Sequence, residues 1–436
     1  MARNTIKIKN TVNWQAFSCV RSLILKLTIL ALCLATASIG RAQPPITFMN
    51  GMTGGGAFYL IAVPKDWNGD LVIWNHGFTL DAPGPLSKED LGPLASIQLD
   101  ERYAVAASSF RQAGWALFKT KNDLQNMFGE FKDQFGEPNE VIVTGASLGG
   151  AVTAQAIEKA NLGNVVGAYS LCGAVAGSRN WDGALDLRLI YDAVAAGIPG
   201  AEIPGGAEGL PEDSILTEFE IAMAVNAATG VLLPPTFRTP DQAANLATIL
   251  ALARIPENFL IKDMFYATLN MSDLVHDKHK LNSRLGTGNA DVDYGDNKIN
   301  DSIDRVSPHP GAENRLERNF TPTGDVGDTK IIAIHTDKDG LVVVENESDY
   351  AYVVPAENLT VAIAVEDDPS HCDFTEAEAL AGWESLRAWI AGFPQPTAAD
   401  IQGVCIGIEN TTSFEGPCRF DPSFVIPDMD DRIRPR

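Results

Sequence analysis

The sequence predicts an α/β fold: a mostly parallel sheet flanked by helices, carrying a large and mostly helical lid insertion. Three observations point there. Short β-rich or wholly apolar runs recur along the chain, and stretches with helical periodicity separate them, as buried parallel strands and their crossovers require. The alternation then breaks off for about 150 residues in mid-chain, where helical segments and Gly/Pro punctuation replace strands, before it resumes.

Taken in order, Phe58–Val63 reads as a strand closed by Pro64 and the turn Asp66–Gly69, and Leu71–Trp74 as a second. Tyr103–Ala107 and Val141–Thr144 suit buried strands, with a helical pattern from Trp115 to Phe135 between them. Gly150–Ala160 is a further helix and Val165–Leu171 a further strand. From about Gly173 to Asp325, Ile215–Val225 and Pro240–Ala253 look helical, while Ile198–Gly206 and Leu232–Pro235 punctuate them. Strands resume at Lys330–Ile334 and Leu359–Val365, and a helix from Thr375 to Ala391 closes the fold. The expected division is a first core part at 43–173, a lid at 174–325, a second core part at 326–400 and a C-terminal segment at 401–436.

The 436 residues carry 33 Lys and Arg against 56 Asp and Glu, a formal charge of −23. Phosphate backbones are bound by a basic face, so nucleic acid is not an expected partner. Arg3, Lys7, Lys9, Arg21 and Lys26 precede the apolar run Leu27–Gly40, which leads into Arg41, Ala42 and Gln43, and the first acidic residue is Asp66. This is the layout of a signal peptide over 1–42, with Gly40 and Ala42 as the small residues third from and next to the cut. The run is too short to span a bilayer comfortably, so the mature chain is expected to be secreted or periplasmic, without a stable membrane anchor. An uncleaved anchor is the alternative. Beyond the signal stand Cys172, Cys372, Cys405 and Cys418, an even set that predicts two disulfides in an oxidising compartment.

Gly145-Ala146-Ser147-Leu148-Gly149 is a G-x-S-x-G sequence directly after a strand and before a helix. A nucleophile on so sharp a turn needs small neighbours at Gly145 and Gly149, because side chains there would meet the adjacent strand and helix. At this point the chain resembles the α/β-hydrolase superfamily over most of 56–173 and 326–395. The resemblance implies a triad in the chain order nucleophile, acid, histidine. The strand Lys330–Ile334 runs into His335-Thr-Asp-Lys-Asp339-Gly-Leu-Val342, where Asp339 matches the family acid; Asp337 competes, since a short loop can present either carboxylate. Of the six histidines, His371 alone follows both the acid and a last strand, which makes it the base.

Trp74-Asn-His76-Gly77-Phe78 is similar to the family's His-Gly oxyanion motif. It implies the backbone N–H groups of Phe78 and Leu148 as oxyanion donors, close approach at Gly77, and a turn-stabilising role for His76. Cys172 ends a strand at the carboxyl edge of the sheet, and Cys372 must reach that edge if His371 reaches Ser147, so the expected bridges are Cys172–Cys372 and Cys405–Cys418. Free buried thiols at 172 and 372 are the alternative.

The resemblance implies a serine esterase that cleaves carboxylic esters through an acyl-enzyme and needs no cofactor or metal. Its partner would be a small-molecule or polymeric ester, sizeable or hydrophobic, entering under the lid. Similar architectures include feruloyl-ester and tannin hydrolases, polyester depolymerases and prolyl-oligopeptidase-like enzymes. The tannin type has Cys beside both the catalytic Ser and the catalytic His; here His371 is followed by Cys372, but Ala146 precedes Ser147. A serine peptidase with the same triad, and a non-catalytic secreted binding protein with a relic site, are the competing functions. The acidic stretch Asn289–Asp301 has the oxygen density of a calcium loop without its spacing, and reads as a solvated loop. His276 and His279 lack a third metal ligand. Trp181, Tyr191, Phe265 and Tyr266 either line a pocket or fill the core of the lid.

Overall fold

The computed structural model describes residues 45–411 and 416–434; the expected signal at 1–42 lies outside them. Eight strands form one sheet: β1 (Ile46–Met52), β2 (Phe58–Pro64), β3 (Leu71–Asn75), β4 (Ala104–Ser108), β5 (Val141–Ala146), β6 (Val165–Leu171), β7 (Lys330–Thr336) and β8 (Leu359–Ala364). Their order is β1-β2-β4-β3-β5-β6-β7-β8. β1 pairs antiparallel with β2, and β2 with β4. All pairings from β4 through β8 are parallel, so the carboxyl ends of six strands face one edge. This is the α/β-hydrolase architecture that the sequence resembles.

Alternation along the strands builds two layers. Leu71, Ile73, Val141 and Val143 pack with Leu124, Phe131 and Val152 of the helices Thr120–Phe135 and Leu148–Lys159. Val72 and Ile142 pack on the opposite face with Trp383 and Leu386 of the helix Glu376–Ile390, against which the helix Ala398–Thr411 also lies. That last helix runs across the 400/401 boundary expected from the sequence.

The insertion is helical, with Asn180–Ala195, Glu218–Thr229, Pro240–Ala253 and several shorter helices. Two of these helices are started by capping boxes, in which Thr217 and Glu220, and Thr239 and Gln242, satisfy one another's first-turn N–H groups. Leu185, Ile190, Ile221, Val225, Ile249 and Met264 join the same apolar cluster as the sheet face. The insertion is therefore welded to the core by burial rather than perched on it.

Three local expectations need correction. Strand β1 was not expected; it is an edge strand with no fully buried residue, so it has no apolar alternation to betray it. The helix expected from Gly150 begins at Leu148, immediately after Ser147. The helix expected from Trp115 begins at Thr120, after a single 3₁₀ turn at Ala116–Phe118. Among the described residues, no helix is long and apolar enough to cross a membrane.

Candidate active site

Ser147 sits between the end of β5 and the first residue of the next helix, with φ 57° and ψ −124°. For a side chain larger than glycine's this backbone is strained, and three contacts impose it. A Cβ at Gly145 would lie 2.2 Å from the Gly149 carbonyl oxygen, and one at Gly149 would lie 2.0 Å from that of Asn75. One at Gly150 would lie 2.5 Å from Gly173 Cα. The Ser147 N–H donates to the Leu171 carbonyl at 2.9 Å, which fixes the turn against β6.

His371 Nε2 lies 3.0 Å from Ser147 Oγ. On its other side Nδ1 lies 2.8 Å from Asp339 Oδ2 and 2.9 Å from Oδ1. Asp339 also accepts the backbone N–H groups of Leu341 (2.9 Å), Val342 (2.8 Å) and Cys372 (3.2 Å). Bonded this way, the carboxylate is an acceptor throughout, which places the imidazole proton on Nδ1 and leaves the Nε2 lone pair for the serine hydroxyl. Asp337 is occupied elsewhere: its Oδ1 accepts the Glu366 N–H at 2.8 Å.

The loop that carries His371 is held at both ends. Ser370 bridges to Asp339, where the Gly340 N–H donates to the Ser370 carbonyl at 2.9 Å. Downstream, Thr375 and Glu378 form a capping box that starts the next helix, and Glu378 also accepts from Arg419. Cys172 and Cys372 are disulfide-bonded, as are Cys405 and Cys418. Ser147, Cys172 and Cys372 are all non-glycine residues at positive φ, 57°, 44° and 54°, so backbone strain is concentrated at this edge of the sheet.

Gly77 lies directly over Ser147: a Cβ there would stand 3.5 Å from Ser147 Cβ, an ordinary contact distance, so space alone does not demand the glycine the sequence motif led one to expect. Phe78, Ser147 and Leu148 line one cavity of about 120 Å³, with Trp181 and Tyr266 among its other walls. His76 donates from Nδ1 to the Gly77 carbonyl at 2.7 Å and stacks on Phe110, its ring facing away from any triad role. Of the four aromatics singled out in the insertion, Trp181 and Tyr266 face the cavity. Tyr191 is core, its hydroxyl donating to the Ala201 carbonyl at 2.6 Å, and Phe265 packs against that core.

In the acidic stretch, Asp293 accepts from the Gly295 N–H and from Asn300, and Asp296 caps the helix Asn297–Ser302. Among the described residues the one gathering of three potential metal ligands is Cys172, Asp339 and Cys372, whose two sulfurs are bonded to each other.

Next to Asp339 lies a buried pair that the motif-based expectation missed. His335 Nε2 donates to the Val342 carbonyl at 2.7 Å, Nδ1 lies 3.0 Å from Glu347, and Nε2 is 3.9 Å from Asp339. Burial pushes the His335 pKa down, but the hydrogen bond and charge of Glu347, with Asp339 and the Val342 carbonyl, outweigh it and hold the pKa above the ordinary value. Through these contacts His335 ties the loop at Val342 to Glu347. Asp263 and Arg432, also missed, line the cavity from the insertion and from the C-terminal segment. No motif announces such residues; only their burial in the folded chain does.

No family model matches the chain, and no curated protein matches it. Among solved structures it is similar to an esterase from Rhodococcus sp. ECU1013, at 16% identity and TM-score 0.38 over 79% of this chain and 98% of that one. It is similar to an esterase from Pyrococcus furiosus at 13% identity and TM-score 0.38, over 82% and 97%. A membrane phospholipase A described as a bacterial virulence factor is similar at 11% identity and TM-score 0.39, over 87% and 96%.

Proposed function

We propose that this chain, built on an α/β-hydrolase fold, is a secreted or periplasmic serine hydrolase that cleaves carboxylic esters. The observation that carries the proposal is the unbroken chain Ser147 Oγ, His371 Nε2, His371 Nδ1, Asp339, with each contact at 3.0 Å or less. His371 removes the hydroxyl proton as Ser147 Oγ bonds to the ester carbonyl carbon. The tetrahedral oxyanion is held by the backbone N–H groups of Phe78 and Leu148. Collapse breaks the bond to the alcohol oxygen, which takes the proton from His371 Nε2. Water then repeats the sequence on the acyl-enzyme and frees Ser147.

The walls around the nucleophile support an ester with an apolar part, since Trp115, Trp181, Leu187 and Leu341 are among the apolar side chains that line them. Two disulfides support an oxidising compartment. The test is a series of p-nitrophenyl acyl esters set against peptide p-nitroanilides. Ester turnover lost in Ser147→Ala is expected; cleavage of peptides with no ester turnover would assign the peptidase function instead.

A further inference from the structure

The end of β7 departs from the rest of the strand. Ile331, Ile332, Ala333 and Ile334 are apolar and buried, and His335 follows them into the same interior, with no exposed surface. Glu347, at the start of the helix Asn346–Val353, is equally buried. Its 3.0 Å contact with His335 Nδ1 is the only hydrogen bond its carboxyl makes among the described residues. A buried imidazole and carboxyl carry a desolvation cost that two apolar side chains of similar volume would not, so packing alone does not account for them.

Hydrogen-bond chemistry fixes how many protons the pair holds. The Val342 carbonyl can only accept, so the 2.7 Å contact from His335 Nε2 places a proton on that nitrogen. The Nδ1 contact with Glu347 needs a second proton, carried either by the ring or by the carboxyl. In both forms the pair is neutral overall and both ring nitrogens are committed. Nε2 lies 3.9 Å from Asp339 Oδ2, so a neutral pair spares Asp339 a second buried anion alongside.

What the pair grips is the loop that holds Asp339. Val342 donates its N–H to Asp339 Oδ1 at 2.8 Å, beside that of Leu341 at 2.9 Å, while its carbonyl is the group His335 holds. The next carbonyl, that of Val343, accepts from Asn346 Nδ2 at 2.9 Å. Asn346 is itself fixed through Oδ1 by the Ala176 N–H at 2.9 Å and by Asn180 at 3.0 Å. The loop is thus pinned at two successive carbonyls, and its N–H groups meet the carboxylate that bonds His371.

We propose that His335, held by Glu347, is a positioning residue for Asp339: it fixes the Val342 carbonyl, and with it the N–H groups that set how the carboxylate meets His371. Neither His335 nor Glu347 lines the cavity with Ser147. This rests on Ser147, His371 and Asp339 as the catalytic unit.

The test is the paired variant His335→Leu with Glu347→Leu, which removes the pair without leaving one half of it buried alone. Circular dichroism at the assay temperature should show it folded. On p-nitrophenyl butanoate its kcat should fall about tenfold or more with KM within about threefold of wild type, since a misplacement of about 1 Å can cost about 100-fold. Glu347→Gln should recover most of kcat, because its amide N–H can serve Nδ1 and leave the Nε2 proton on the Val342 carbonyl. A merely structural pair would lower the melting temperature and leave kcat of the folded protein unchanged. That result would overturn the proposal, as would equal kcat losses in Glu347→Gln and the paired variant. Should the paired variant not fold, Glu347→Asp, which withdraws the carboxylate by one methylene, carries the same test: a kcat loss of about threefold or more is expected, and no loss would overturn the proposal. A second arm needs no turnover. The proton between His371 Nδ1 and Asp339 should give a far-downfield proton resonance that His371→Gln removes, and the paired variant should shift or lose it. An altered resonance in a protein without ester turnover would leave the positioning role standing and refute the hydrolase. Turnover abolished by Ser147→Ala, with kcat and resonance unchanged in the paired variant, would do the opposite.

Discussion

The Cα atoms of Cys172 and Cys372 lie 5.5 Å apart across 200 residues of sequence, and Cys372 is the next residue after His371. The bridge ties the end of β6, which also accepts the Ser147 N–H at Leu171, to the loop that carries the base. Ser147 and His371, the proposed nucleophile and base, are therefore referred to the same strand.

Loss of this bridge should impair catalysis before it impairs the fold. In the paired variant Cys172→Ser with Cys372→Ser, kcat is expected to fall roughly tenfold or more through a mobile His371, because acyl transfer depends on alignment. Circular dichroism at the assay temperature should remain that of the folded protein. Undiminished kcat in the variant would show that the loop is held without the bridge.

Asp339 and Asp337 should separate cleanly. Asp339→Asn is expected to lower kcat about a thousandfold or more, since the amide cannot serve Leu341, Val342, Cys372 and the imidazole alike. Asp337→Asn should stay within about threefold, because its contact is to the Glu366 N–H and not to His371. The reverse order in steady-state kinetics would transfer the acid role.

Stability should be greater on the acid side of neutrality. Burial raises the Glu101 carboxyl to about 7, against the pull of Arg387 and with the push of Glu384. Burial likewise raises Asp186 to about 6, against Arg434 and the Tyr294 hydroxyl. A carboxyl whose folded pKa exceeds its unfolded one binds more proton when folded, so stability falls as pH rises from the unfolded value through the folded one. His335 acts in the same sense, since its raised pKa gives stability that is complete below the ordinary histidine value and lost above the folded one. The melting temperature should therefore fall between about pH 5 and 8, and Glu101→Gln should flatten the slope below about pH 7. A melting temperature that rises over this range, with the same slope in the variant, would contradict the assignment.

Much of this site can be read from the chain because its parts are local in sequence. Gly145, Ser147 and Gly149 announce a tight turn by composition, and Thr375 with Glu378 marks the helix start that ends the His371 loop. Strands β5 to β8 are legible since burial on both faces makes them continuous apolar runs. What stayed hidden depends on long-range packing. Strand β1 gains its shape from pairing with β2 rather than from its own side chains. His335 and Glu347 meet through a turn that no spacing rule describes, and Arg432 reaches the cavity only because Arg179 and Asp186 capture the segment around it.

The most direct test of the account is covalent labelling of the nucleophile. Wild-type protein treated with a fluorophosphonate at neutral pH should gain one adduct, and peptide mass mapping should place it on Ser147. His371→Ala should label at least about a thousandfold more slowly, since an unassisted serine hydroxyl is a poor nucleophile. Slow labelling of the wild type at the rate of the His371→Ala variant, or an adduct on another residue, would contradict the claim that Ser147, His371 and Asp339 act as one catalytic unit.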